Sequence, residues 1–238
     1  MRRFTGFRSA ALVIIGINVF LFMLQMIMGD WFTTYFMFDS TGFLSRPWML
    51  LTHMFLHGGP YHLLFNMYAL LLFGPLVESR IGSKRFLLIY FLSGILAAAG
   101  YLALPTKALG ASGAVMGIIG VTVMLMPNLR LLFFFVIPMT LRTAAFFFVI
   151  IDLWGVFFQP GVANFAHLVG LACGLGYGAY LLKKKGKFSD NLIARSAAMI
   201  SGKKSASHKG SHGSSRKTKT GMELSKKDMD DYLRYGRL

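Results

Sequence analysis

Cysteine is almost absent: Cys173 is the one thiol in 238 residues. A single cysteine excludes an internal disulfide framework and any multi-cysteine metal site. Set among Gly and Ala in an apolar run, it reads as a small packing residue. Acidic residues are scarce too. Residues 1–182 hold only Asp30, Asp39, Glu78 and Asp152 against ten Lys and Arg, whereas residues 183–238 hold five acids against fifteen bases. No nucleic-acid recognition motif accompanies this charge, so it reads as a marker of the cytoplasmic side of a membrane, with no nucleic-acid partner. The internal repeats and acidic gating residues expected of a transporter are also missing. No A-x-A site follows the first apolar run, Ala10 to Met28, which is too long for a signal-peptide core and reads as a retained membrane helix.

What the chain has instead is apolar length, with 55% hydrophobic residues. A membrane span needs roughly 20 mostly apolar residues. That rule predicts six helices, near 9–28, 61–78, 85–104, 111–126, 141–158 and 163–182. A hairpin-like apolar run, 129–138, precedes the fifth and could extend it. Loop charge orients the set. Twenty-three of the 25 basic residues fall on one side and only Arg46 and Lys107 on the other, which puts both termini in the cytoplasm. Residues 29–60 then form a long outer loop, rich in aromatics and expected to lie partly in the membrane interface. The fold class is thus an all-α integral membrane protein, with a membrane domain over 1–182. A basic, flexible cytoplasmic tail follows over 183–238, ending in a possible short helix that has Ser225 and Asp228 at capping-box spacing. His208 and His212 lie in that tail.

Polar groups inside a membrane are costly enough to be functional candidates. Four stand out: His62 and Asn66 in the second span, Ser112 in the fourth and His167 in the sixth. These spans all run outside to inside, and the four residues lie near their starts, so they share one depth. The fourth span offers about 16 residues, or about 24 Å at 1.5 Å per residue. That is shorter than a hydrocarbon core of about 30 Å, so Ser112 is expected to face a wet pocket below the outer surface.

Gly113 and Gly117 on the fourth span, and Gly170, Gly174 and Gly178 on the sixth, form small-xxx-small stripes that allow close helix approach. If the stripes meet, Ser112 and His167 come within hydrogen-bond reach, and an imidazole can then activate the serine as nucleophile. His62 and Asn66 share a helix face at i, i+4. With a backbone N–H they could stabilise an oxyanion. The structural alternatives are plain. Ser112 could cap its helix, Asn66 could bridge helices, and the two histidines could be satisfied core residues.

The segments HMFLHGGPYHLLFN (53–66), GASG (110–113), NFAHLVGLACG (164–174) and, more loosely, GPLVESRIGS (74–83) resemble the rhomboid family of intramembrane serine proteases. The pieces occur in the family's order over roughly residues 9–182. The resemblance implies a six-helix bundle in which Ser112 is the nucleophile and His167 the base of a dyad lacking a third acid. It places His62, Asn66 and the Gly110 and Ser112 backbone in the oxyanion region. It makes His57 a structural histidine holding the long loop and Glu78 a structural carboxylate. It implies transmembrane protein substrates cut near their outer end at small, helix-destabilising residues, and no metal or nucleotide cofactor. Two departures accompany it. Met116 stands where some members carry an aromatic ring against the catalytic histidine, and RPW (46–48) only loosely matches a first-loop Trp-Arg motif.

Asp152 tempts one to complete a triad, but no partner for it is visible in the sequence, and a structural hydrogen bond is the expectation. His53 and His57, at i, i+4, lack the glutamate of a zinc-protease motif, so no metal is expected. The expectation is therefore a multi-pass protein of a prokaryotic cell membrane, in contact with membrane lipid, that cleaves transmembrane segments. The rivals are a rhomboid-like protein that binds membrane clients without cutting and a small transporter.

Overall fold

A computed structural model describes residues 9–102, 105–133, 137–158 and 164–200. The chain separates into two compact units, Met1–Tyr180 and Leu181–Leu238. The first contains every candidate site residue. Its long helices are α1 (Ala10–Met28), α4 (Pro60–Ile81), α5 (Ser83–Ala99), α6 (Ser112–Leu125), α7 (Leu141–Phe158) and the first part of α8 (Asn164–Ile200). Two short helices, α2 (Asp30–Phe36) and α3 (Met49–Thr52), lie between α1 and α4.

Among the described residues, four helical stretches are long and apolar enough to cross a membrane: α1, α4, α7 and Asn164–Lys184 of α8. The other two expected spans are shorter. Helix α5 opens on Ser83-Lys84-Arg85 and stops at Ala99, five residues before the expected end. Helix α6 has 14 residues, about 21 Å of helix.

One open alternative is decided and one expectation fails along the chain. The hairpin-like run 129–138 contributes to two paired strands and does not extend the fifth helix. Strand β3 (Arg130–Phe133) pairs antiparallel with β4 (Ile137–Thr140), with Pro138 opposite Leu132. Proline disfavours a helix interior, because it lacks the N–H and its ring clashes with the preceding turn, although α4 accommodates Pro75. Thr140 sets the start of α7, its Oγ1 accepting the Thr143 amide at 3.2 Å in the manner of an N-cap. In the second unit, helix persists to Ile200, so residues 183–200 are helical where flexible chain is expected from Lys183 onward. Good helix formers dominate that stretch and only Gly186 interrupts it. The Ser225–Asp228 helix and the tail histidines lie outside the described residues.

Helix α6 is the buried axis of the first unit: every residue from Gly113 to Thr122 is buried. It is flanked by α5 and α8, and glycine permits both approaches. A Cβ on Gly170 would strike the Gly113 carbonyl, and one on Gly174 the Gly117 carbonyl. A Cβ on Gly113 would meet Ala97 of α5, and one on Gly117 the Ser93 side chain. Gly170 and Gly174 of α8 thus face α6, whereas Gly113 and Gly117 point chiefly at α5, and Gly120 faces α8. Small residues matter here because lipid supplies no hydrophobic drive between helices, leaving close packing to hold them.

The segment between α1 and α4 is tied down at several points. Strand β1 (Phe38–Asp39) pairs with β2 (Lys107–Ala108). Thr52 Oγ1 donates to the Phe36 carbonyl at 2.7 Å. Phe38 and Met49 pack with Ala97, Ala98, Tyr101 and Ala166 in a small core. Trp31, Tyr35 and Trp48 stay exposed, as suits rings at a membrane interface.

Candidate active site

Ser112 opens α6, yet its hydroxyl does not cap the helix. Its Oγ lies 2.8 Å from His167 Nε2. His167 sits in the first turn of α8, carried there by the glycine contacts just described. Its other ring nitrogen, Nδ1, lies 3.0 Å from Asp152 Oδ1 on α7. A carboxylate only accepts, so the chemistry places the proton on Nδ1 and leaves Nε2 to accept from the serine hydroxyl. The His167 side chain keeps 22% of its surface exposed and that of Asp152 8%. The hydrogen bond expected of Asp152 is present, and its partner is His167. A contact between residues 15 apart, one on α7 and one on α8, has no periodic signature.

The oxyanion candidates divide. Gly110 has φ of 123°, a left-handed value that favours glycine. A Cβ there would sit 2.9 Å from His62 Nε2, so glycine lets the backbone lie against that imidazole. However, the Gly110 amide donates to the His53 carbonyl at 2.9 Å. Its N–H is engaged, which removes it as an oxyanion donor and makes Gly110 a backbone spacer. His62 Nδ1 accepts the Gly58 amide at 3.2 Å, leaving its Nε2 as the N–H that can donate. Asn66 is buried and donates one Nδ2 hydrogen to the His62 carbonyl at 2.9 Å, keeping a second. The first amides of α6 lack intrahelical acceptors, as at any helix start, and the positive end of the helix dipole lies there.

The Rhomboid domain family matches residues 44–184. The chain belongs to the rhomboid family. Among curated proteins it is 37% identical over 149 residues to the rhomboid protease GluP of Bacillus subtilis, covering 62% of this chain and 29% of GluP. It is 35% identical over 141 residues to the mitochondrial RHOMBOID-like protein 6 of Arabidopsis thaliana, covering 58% of this chain and 45% of that protein. A shorter match, 43% over 49 residues, covers 21% of this chain and 14% of the inactive RHOMBOID-like protein 8 of the same plant. The chain thus spans less than half the length of these relatives. Rhomboid membership and the apolar helices make it an integral membrane protein. Relatives include a bacterial and a mitochondrial protein, so membership alone does not select a prokaryotic membrane.

In this rhomboid, His57 and Glu78 hold structure in ways the sequence only partly signals. Glu78, near the end of α4, accepts Ser9 Oγ at 2.6 Å, the Ala10 and Ala11 amides at 2.8 and 3.1 Å, and Ser83 Oγ at 2.7 Å. One carboxylate therefore caps α1 and pins the α4–α5 turn. His57 is gripped by its peptide group. Gln25 of α1 donates to its carbonyl at 2.9 Å and accepts its amide at 3.1 Å. Sequence reasoning missed Gln25; a lone glutamine in an apolar span was the available signal. The His57 ring packs edge-on to Phe22 and His62, at 6.4 and 5.2 Å between centroids. His53 Nδ1 donates to the Met49 carbonyl at 2.9 Å. Burial holds both the His53 and His57 imidazoles below the ordinary histidine range.

Proposed function

We propose that this chain is an intramembrane serine endopeptidase that cleaves transmembrane segments of other proteins near their outer end. The observation that carries this reading is the 2.8 Å approach of Ser112 Oγ to His167 Nε2 at the start of two helices packed through glycine. His167 takes the hydroxyl proton as Ser112 Oγ bonds to the scissile carbonyl carbon. The oxyanion that forms is met by His62 Nε2–H, by the spare Asn66 N–H and by the Ser112 amide. His167 then returns the proton to the leaving amine as the C–N bond breaks, and water releases the acyl group by the same route. Preorganised donors of this kind are typically worth about 3–4 kcal/mol each in the transition state.

In this reading α5 and α6 complete six spans, both termini are cytoplasmic, and residues 29–60 lie outside. The short α6 keeps Ser112 below the outer surface, in a pocket that admits water. Substrates with small, helix-destabilising residues at that depth would unwind most readily to reach Ser112.

The test uses the full chain in liposomes with a single-span substrate carrying small residues near its outer end. Cleavage is expected, together with labelling of Ser112 by a fluorophosphonate. Ser112→Ala abolishes both, and His167→Ala lowers both by on the order of 10⁴-fold or more. Binding of several such substrates with no cleavage of any would favour the client-binding alternative, to which the inactive relative lends weight.

A further inference from the structure

We infer that Asp152 is a positioning residue for His167, so that the site works as a three-membered line, Asp152–His167–Ser112, rather than as a dyad. The inference rests on the protease reading above.

The geometry points the same way at four places. Asp152 lies on the inward stripe of α7 with Leu141, Ala144, Ala145 and Gly155, while its neighbours Ile151, Leu153 and Trp154 are exposed. A carboxylate buried in an apolar helix is expensive unless a hydrogen-bonded partner compensates it. His167 Nδ1, at 3.0 Å, is that partner. The approach of α7 to α8 is itself built. Gly155, three residues on, lies against the Asn164 side chain at the first residue of α8, where any Cβ would collide. Tyr101, following α5, accepts the Ala166 amide with its hydroxyl at 3.3 Å, fixing the backbone one residue before the histidine. Met116, one turn after Ser112, supplies no aromatic ring to hold the imidazole from the α6 side. Orientation therefore falls to the carboxylate.

The chemical consequence follows from tautomer choice. An imidazole with its proton on Nδ1 presents a lone pair at Nε2, the only form that can take the Ser112 proton. Once the proton has moved, Asp152, itself only 8% exposed, faces the imidazolium and stabilises it. Among the described residues, the other polar or titratable groups near His167 include Ser112 from α6, His62 from α4 and Tyr101 after α5. None of these offers a carboxylate as Asp152 does.

The full chain with Asp152→Asn and Asp152→Ala is compared with the parent by cleavage of the single-span substrate. We expect kcat to fall by on the order of 10²-fold or more while KM stays within about twofold, with Asn worse than Ala because its amide can donate to Nδ1 and trap the wrong tautomer. Parental kcat in both variants would overturn the inference. So would a lowered melting temperature with kcat per folded molecule unchanged. Should both variants fail to fold, ¹⁵N-histidine spectra of the parent decide, with the His167 signal assigned by its loss in His167→Ala. A proton on Nδ1 supports the line and one on Nε2 overturns it. A parent that neither cleaves nor labels would defeat the protease reading, while those spectra would still show how His167 is held.

Discussion

Two polar clusters sit toward opposite ends of α4, and they are built on opposite plans. At one end Glu78 receives four hydrogen bonds, from Ser9, Ala10, Ala11 and Ser83, and nothing is left over. At the other end, near His62, the line from Asp152 through His167 to Ser112 is joined by single bonds and stays partly open. A closed cluster converts the cost of burying a charge into attachment between helices. An open one keeps acceptor and donor capacity for a visitor. Both look alike in the sequence, as isolated polar letters in apolar spans. Satisfaction of the polar atoms distinguishes them.

The largest expected effect is a double dissociation between these ends. Ser112→Ala should eliminate turnover while changing stability by no more than about 0.5 kcal/mol. Glu78→Ala should lower stability by about 3 kcal/mol or more, because four donors lose one charged acceptor, with the chemistry of folded molecules intact. Thermal melts in detergent, paired with turnover per folded molecule, read both halves. If Ser112→Ala melts early or Glu78→Ala alters folded turnover, the division between closed and open clusters fails.

Gly170→Val couples the two properties. The added side chain meets the Gly113 backbone, so overpacking should cost about 1–3 kcal/mol. The same displacement moves His167, and a misplacement of about 1 Å can reduce turnover by about 10²-fold. Gly176→Val on the same helix, where no atom lies within 4 Å of a Cβ, is the control and should leave turnover alone. Equal effects at the two positions would show that close approach is not what glycine supplies here.

Gln25→Ala sharpens the comparison from the loop side. It removes both bonds to the His57 peptide and should cost about 1–3 kcal/mol, with faster hydrogen exchange at His57 as the local readout. Unchanged exchange there would mean the loop is held elsewhere.

The smallest effect is one of pH. His53 and His57 are held neutral by burial, below the ordinary value of 6.5, so the unfolded chain takes up protons that the folded chain refuses. Their contribution to stability is present above about pH 6.5 and is lost as pH falls toward the folded-state values. The melting temperature should therefore drop between pH 7 and pH 5, with a shallower slope in His57→Phe. A flat profile in the parent would show that these rings are not kept from water.

Much of this was readable beforehand, and for definite reasons. Ser112 and His167 stand out because membrane spans tolerate few polar side chains, and the four-residue repeat of glycine marks helices that can touch. Other features gave no such sign. Asp152 carries the same letter whether it faces lipid or His167, and the rotation of α7 decides which. The resemblance places the Gly110 backbone in the oxyanion region, yet nothing in the sequence shows that its amide is held by the His53 carbonyl. Backbone partners brought together by a loop leave no trace in composition. For the 129–138 run, hydropathy alone leaves strand and helix open, and only the β3–β4 pairing decides.

By itself, then, the order of residues determined the apolar segments, the helices they form, and the residues that chemistry could use. These depend on local free energies, namely the transfer of side chains out of water and the intrahelical bonding of each backbone group. Only the tertiary structure decided which polar atoms meet. Hydrogen bonds between helices depend on the rotation and offset of rigid rods to within an ångström, and those are set by the summed packing of every facing pair, with Gly170 and Gly174 allowed to rest against α6 where any larger residue would hold His167 away from Ser112.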